Sequence, residues 1–376
     1  MEGERVKVGL EHVLAWRMRR HYLDPRTERT ASEIVGRLCG VQAQVWSAAA
    51  TAVALRQSAP DKDAVDRSFT DLSLMKTWAM RGTLHLLRPS DAGAYLALVE
   101  STRFWLKPSW QRFSGVTPRQ IDELTERVAT LLEGAVLTRD QLVTRIVADK
   151  RFSGLEDRLR SGWGQMLKPL AWRGVLCHGP NQGNKITFTL PASRFPNWGK
   201  MPEADEAAPA VIAAYLGAYG PATPDVFDRW LTLSSTSKPR LRQWFSDMGD
   251  KLTEVDVEGR RALMLTEHVA ELADIPPATG VRLLSGFDQY ILGPGTNDET
   301  LLPKQHRAAV SRTSGWISPI VLVNGRVAGV WNILDHEVVV SPFPDSGRLP
   351  LRDLKREAAH VARASGLDRL AVRVAL

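Results

Sequence analysis

Two amide side chains separated by one small apolar residue, Gln42-Ala43-Gln44, follow the run Leu38-Cys39-Gly40-Val41. An amide neither gains nor loses a proton near neutral pH, so the pair cannot act as general acid or base. It can accept through carbonyl oxygen and donate through NH2, which suits it to orient a water or to face a developing positive charge. A buried amide must find partners, so a plainer role is capping a helix end or bonding backbone. A cationic group lies further on: Arg158, Arg160, Gln165, Lys168 and Arg173 share one segment and offer phosphate contacts. Arg81 is a further phosphate ligand. His85, between Leu84 and Leu86, is as well suited to a structural role as to a nucleic-acid contact. Asp288 interrupts the apolar run 286–292, which reads as a strand, and there it orients a catalytic group or bonds backbone, with the structural role favoured. A turn-rich polar segment, 293–307, carries Lys304, His306 and Arg307.

Those residues need a large scaffold. The chain has 376 residues, enough for two to four domains. Its 44% hydrophobic and 24% charged content describes a globular protein. No apolar run spans a membrane, and Met-Glu-Gly-Glu-Arg-Val-Lys is not a signal peptide, so a cytoplasmic location is expected. Cys39 and Cys177 stand alone, and neither a disulfide framework nor a metal site is expected. The net charge of +7 is unevenly spread. Residues 101–200 hold 16 Lys and Arg against 8 Asp and Glu, and residues 201–300 reverse those numbers. A polyanion is best placed on the second hundred residues.

The expected fold class is α+β: three tandem winged helices, a helix-turn-helix variant, followed by a β-rich, barrel-like C-terminal domain. The expected units are 1–108, 109–200, 201–274 and 275–376. In the second, Thr117-Pro118 and Thr138-Arg139-Asp140-Gln141 carry N-cap signals for helices over 118–132 and 139–148. A third helix is predicted over 157–173, then strands at 175–178 and 186–190 around an Asn- and Gly-rich turn. The third unit repeats the plan, with helices at 208–219, 224–232 and 238–248 and a wing turning at Glu258-Gly259. The first is looser: helices near 10–21, 30–40 and 73–81, then a wing strand from Gly82. Beyond Pro276 the pattern turns to strands, with an Asn324-Gly325 hairpin, a strand over 337–343, a helix over 351–365 and a last strand. Trp46, Trp163 and Trp172 fall near candidate nucleic-acid faces, with core packing the default for each.

Four segments in register, Val41-Gln42-Ala43-Gln44, Arg81-Gly82-Thr83-Leu84-His85-Leu86-Leu87, Gly286-Phe287-Asp288-Gln289-Tyr290-Ile291-Leu292 and Asn324-Gly325-Arg326-Val327-Ala328-Gly329-Val330-Trp331, resemble the AlkZ/YcaQ-type bacterial DNA glycosylases. The resemblance spans nearly the whole chain. It implies a concave basic channel for duplex DNA, removal of alkylated bases including bulky adducts and cross-links, and a hairpin at 293–307 probing the duplex. Gln44, where the YcaQ branch has Asp, implies the branch that protects antibiotic producers from their own product. Gln42 and Gln44 are then the catalytic pair. The chemistry agrees: glycosidases with two carboxyls protonate their leaving group, whereas N7-alkylguanine is already cationic and departs neutral without an acid. A monofunctional enzyme is implied, with no Schiff-base lysine, no metal and no organic cofactor, working as a monomer on DNA that carries alkylated guanine. The rivals are a winged-helix transcriptional regulator, which would prefer one operator strongly over random DNA, and a lesion-binding protein without turnover.

Overall fold

Threonine side chains open helices where the sequence places them. Thr117 and Thr138 each accept from the backbone three residues on, and Gln120 and Gln141 bond back to close capping boxes. Thr223 caps Pro224–Thr232 by accepting from the Val226 amide, with no return bond from the third residue. In the helix Pro118–Leu132, Ile121, Leu124, Val128 and Leu132 form one buried stripe. These are features of a computed structural model that describes residues 6–162 and 164–375; Trp163 lies outside the described residues.

Each of three helical units carries a three-stranded sheet. The first is ordered Val41–Gln42, Leu84–Leu87, Met75–Trp78, and the second Val136–Thr138, Thr187–Thr189, Cys177–His178. In the third, the hairpin Leu252–Val257 and Arg260–Leu265 turns at Glu258-Gly259, as expected, with both residues at positive φ. The strand Val6–Val8 joins its edge in parallel, with Val6 opposite Val255, so the start of the chain completes the third sheet. The C-terminal domain is an open sheet of five strands, Val281–Leu284, Ile320–Val323, Arg326–Leu334, Glu337–Pro342 and Ala371–Val374, with the helix Leu351–Ala364 packed on it. The architecture is the α+β arrangement of winged helices and β-rich C-terminal domain that the sequence predicts.

The long helix Ala204–Tyr219 ties the parts together. The carbonyls of its last residue, Tyr219, and of Gly220 and Pro221 just beyond its end accept from the buried Arg17 of the helix Leu10–Arg20, and a cation suits a helix C-terminus. The Tyr215 and Tyr219 hydroxyls donate to the carbonyls of Gly293 and Leu38. A second tie joins the first unit to the C-terminal domain: Arg56 and Asp288, both fully buried, form a two-pronged ion pair at 2.9 and 2.7 Å.

Four predicted elements differ. The stretch 73–81 is not a helix but the strand Met75–Trp78, because Arg81 and Gly82 at positive φ reverse the chain and pair it with Leu84–Leu87. Cross-strand pairing overrides the helix propensity of Met, Lys and Ala. The helix over 157–173 splits into Glu156–Arg160 and Lys168–Trp172. Gly164 breaks it: it sits at φ +62°, and a Cβ there would lie 2.3 Å from the Trp78 ring. The strand over 286–292 is instead the short helix Gln289–Leu292, capped by Asp288, whose carboxylate accepts from the Tyr290 amide. The segment 293–307 forms turns and short helices, not a hairpin, and Asp298 anchors it to Arg17. The helices Trp46–Ala54, Ala64–Thr70, Pro89–Glu100 and Pro108–Ser114 were not expected.

Candidate active site

Strand geometry sorts the three residues of the amide motif. The strand ends at Gln42; Ala43 is fully buried in the core, and Gln44 follows in a bend beyond the strand. The Ala43 amide donates to the Leu84 carbonyl at 2.7 Å, so the segment stays tied to the central strand past Gln42. Gln42 is buried at 6% exposure, whereas Gln44, just before the helix Trp46–Ala54, is exposed. Beside that helix start, Trp46 donates to Asp66, packs edge-on against Phe69 and lies under the Lys76 ammonium.

Arg81 turns inward. One guanidinium nitrogen donates to Gln42 Oε1 at 3.1 Å and another to the Trp230 carbonyl at 3.0 Å. A guanidinium only donates, so the oxygen end of the Gln42 amide faces Arg81, leaving its NH2 group and one oxygen lone pair for other partners. Burial lowers the Arg81 pKa to about 10, and it remains a cation at neutral pH. His85 is directly opposite Gln42 across the sheet and fully buried. Its Nδ1 lies 3.0 Å from the Thr83 carbonyl, which makes Nδ1 the protonated nitrogen and Nε2 a lone-pair acceptor. Burial, then Arg81, pushes its pKa down to about 3, so His85 adds no charge beside Gln42.

The sequence profile of the family described as DNA glycosylase AlkZ-like matches residues 35–364. A protein named interstrand DNA cross-link repair glycosylase, from Streptomyces sahachiroi, is 70% identical over 370 residues, covering 98% of this chain and all of that one. The solved structure of Streptomyces sahachiroi DNA glycosylase AlkZ superposes with a TM-score of 0.97 over 98% of this chain and all of that one. The chain belongs to the AlkZ-like DNA glycosylase family. It is therefore an enzyme of DNA repair and not an operator-reading regulator.

Within this AlkZ-like chain the expected DNA-binding residues separate into groups. Arg81, Gln165 and Lys168 come together along one cleft of about 730 Å³. Arg158 is exposed and donates to the Ser114 carbonyl. Arg160 pairs with Asp140 and Glu156 at 2.7 and 2.9 Å. Arg173 pairs with Asp122 at 2.8 Å and lies over the Trp105 ring. Partly exposed pairs of this kind contribute under about 1 kcal/mol and yield readily to a phosphate. Lys304 and Arg307 are exposed on the 293–307 segment, with Arg307 donating to Thr296, while His306 stacks on Phe343 and bonds Asp345 at 2.6 Å. His85 is enclosed as the cross-strand partner of Gln42, and Asp288 is committed to Arg56 and its cap.

Sequence reasoning missed the Arg81–Gln42 bond, and also Lys107, Phe113 and Leu233, which share the cleft with Arg81. The dense aromatic and basic run from Phe104 to Phe113 was the available signal for the cleft. Among the described residues no group of three His, Cys, Asp or Glu side chains is placed to hold a metal ion, and no helix is long and apolar enough to cross a membrane. Cys39 and Cys177 are free and buried, and burial pushes both thiols up to about 12.

Proposed function

We propose that this enzyme hydrolyses the N-glycosidic bond of cationic N7-alkylguanine in duplex DNA, bulky adducts and interstrand cross-links included, and leaves an abasic site. The carrying observation is that Gln42, the buried member of the amide pair, is held by a guanidinium and not by a carboxyl group. Amides and a guanidinium do not protonate a leaving base, so this arrangement suits a base that already bears a positive charge. The name of the 70% identical Streptomyces relative, a cross-link repair glycosylase, supports the same substrate class. The two amides divide the work. Gln42, pinned through its oxygen, offers its NH2 group to the attacking water or the departing base. Gln44, exposed, offers its carbonyl oxygen to the sugar as positive charge develops there. Neutral His85 keeps further positive charge away from that sugar. Arg158, Arg160, Arg173, Lys304 and Arg307 hold phosphates without reading sequence, as a repair enzyme requires. The protein acts as a cytoplasmic monomer, without cofactor or lyase step, and protects its host from a DNA-alkylating natural product.

Incubation with duplex DNA carrying N7-methylguanine, followed by heat or alkali to cut abasic sites, tests this reading. The wild type releases base, and the Gln42→Ala, Gln44→Ala double variant falls to the buffer background. Equal release by both proteins rules out the catalytic assignment.

A further inference from the structure

The cleft beside Arg81 lies where all three helical units meet, and its lining is of two kinds. Its wall is apolar: Phe104, Trp110, Phe113, Trp172 and Leu233. Phe104 packs edge-on against Trp110 and Trp172, with ring centroids 5.7 and 4.9 Å apart, so the wall is preformed. Phe113 and Leu233 are nevertheless 74% and 61% exposed, the two most exposed large hydrophobic residues among those described. Leu233 is held at φ +58° at the end of the helix Pro224–Thr232, a backbone conformation unfavourable for a branched apolar residue. The rim carries Arg81, Lys107 and Lys168, and among the described residues no carboxylate lines the cleft. Burial lowers the Lys168 pKa, which marks a cation partly withdrawn from water towards the apolar wall.

A bare phosphodiester backbone would satisfy the rim but gain nothing from the wall. A free apolar molecule would satisfy the wall and ignore the rim. The occupant that uses both is an aromatic group covalently attached to a polyanion. The volume of about 730 Å³ is that of a site for a drug-sized ligand, roughly 300–1,000 Å³, and is larger than a snug pocket for one flipped base needs. Arg81 links the cleft to the chemistry, because the side chain on the rim is also the one that holds Gln42 Oε1.

Resting on the reading that the enzyme releases N7-alkylguanine, we infer that this cleft binds the aromatic body of a bulky DNA adduct while the damaged guanine lies at the amide pair. The cleft thereby selects large aromatic adducts over small alkyl lesions. Burial of the aromatic body supplies binding energy remote from the reacting bond.

The test compares single-turnover base release from two duplexes of one sequence, one with N7-methylguanine and one with an N7-guanine adduct bearing a polycyclic aryl group. Both are measured for the wild type and for a Phe113→Ala, Leu233→Asn variant. Both changes lie at exposed positions, and Asn tolerates the left-handed backbone. The expected result is a tenfold or greater fall in the aryl-to-methyl rate ratio, with an unchanged melting temperature. An unchanged ratio, with both bases still released, overturns the adduct site alone. Wild-type protein that releases neither base overturns the base-release reading and the adduct site together.

Discussion

A guanidinium cannot accept a hydrogen bond, and that fact decides which end of the Gln42 amide is left free for other partners. Arg81 was expected at a phosphate, and two of its three guanidinium nitrogens bond Gln42 Oε1 and the Trp230 carbonyl. Arg81→Lys keeps the charge and loses the fork. It is expected to lower the rate of base release about tenfold, of the order of one charge-assisted bond, and to leave DNA affinity within about twofold. A phosphate contact would behave otherwise: its loss would weaken binding and reduce the salt slope by about one. Measuring the dissociation constant across salt concentrations, alongside single-turnover rates, separates the two. The candidate pair itself was legible in the sequence, because two amides at spacing two are rare enough to draw attention. What holds them was not. The Arg81 contact depends on a strand pairing between residues 41–42 and 84–87 and on one positive-φ residue, and neither has a local sequence signature.

At the scale of elements, what was legible followed local chemistry. Helices with a Thr cap and a glutamine three residues later were predicted nearly to the residue, as at Thr138. So were hairpins with Gly at the turn, as at Glu258-Gly259. The failures came where a distant partner decides the conformation. Trp78 needs Gly164 to be a glycine, and their contact breaks a helix that its own sequence otherwise permits. Asp288 reads as a stray charge in a strand until Arg56, 232 residues away, is placed against it. Removing one partner of such a fully buried pair leaves an uncompensated charge. Asp288→Ala is therefore expected to cost about 3–5 kcal/mol in denaturant unfolding. Base release per folded molecule should stay near the wild-type value at low temperature. Loss of turnover in a variant of native stability would instead give Asp288 a part in the chemistry.

Over the whole molecule, burial of histidine sets a limit on acid tolerance. His21, His85, His178 and His360 are buried, and in each burial is the main cause that depresses the pKa, to about 3 for His85 and His178 and about 4 for His360. In the unfolded chain these rings titrate near 6.5. As pH falls below that value the unfolded state takes up protons that the folded state refuses, so stability present at neutral pH is lost on acidification. By pH 5 the loss reaches up to about 2 kcal/mol each for His85 and His178. The melting temperature is expected to fall between pH 7 and pH 5, a window in which carboxylates titrate little. His178→Gln should make that fall shallower, and an identical pH profile for the variant would exclude His178 as a contributor. The pairing of Val6–Val8 with the hairpin at Val255 bears on how this fold comes into being. The strand Val6–Val8 leaves the ribosome with its partner roughly 250 residues behind it. At a synthesis rate of about 5–20 residues per second that is a wait on the order of ten seconds or more. Until then the Val6–Val8 segment has no sheet to join, and the third unit lacks an edge. The third sheet is therefore completed only when a segment made roughly 250 residues earlier is brought back to its edge.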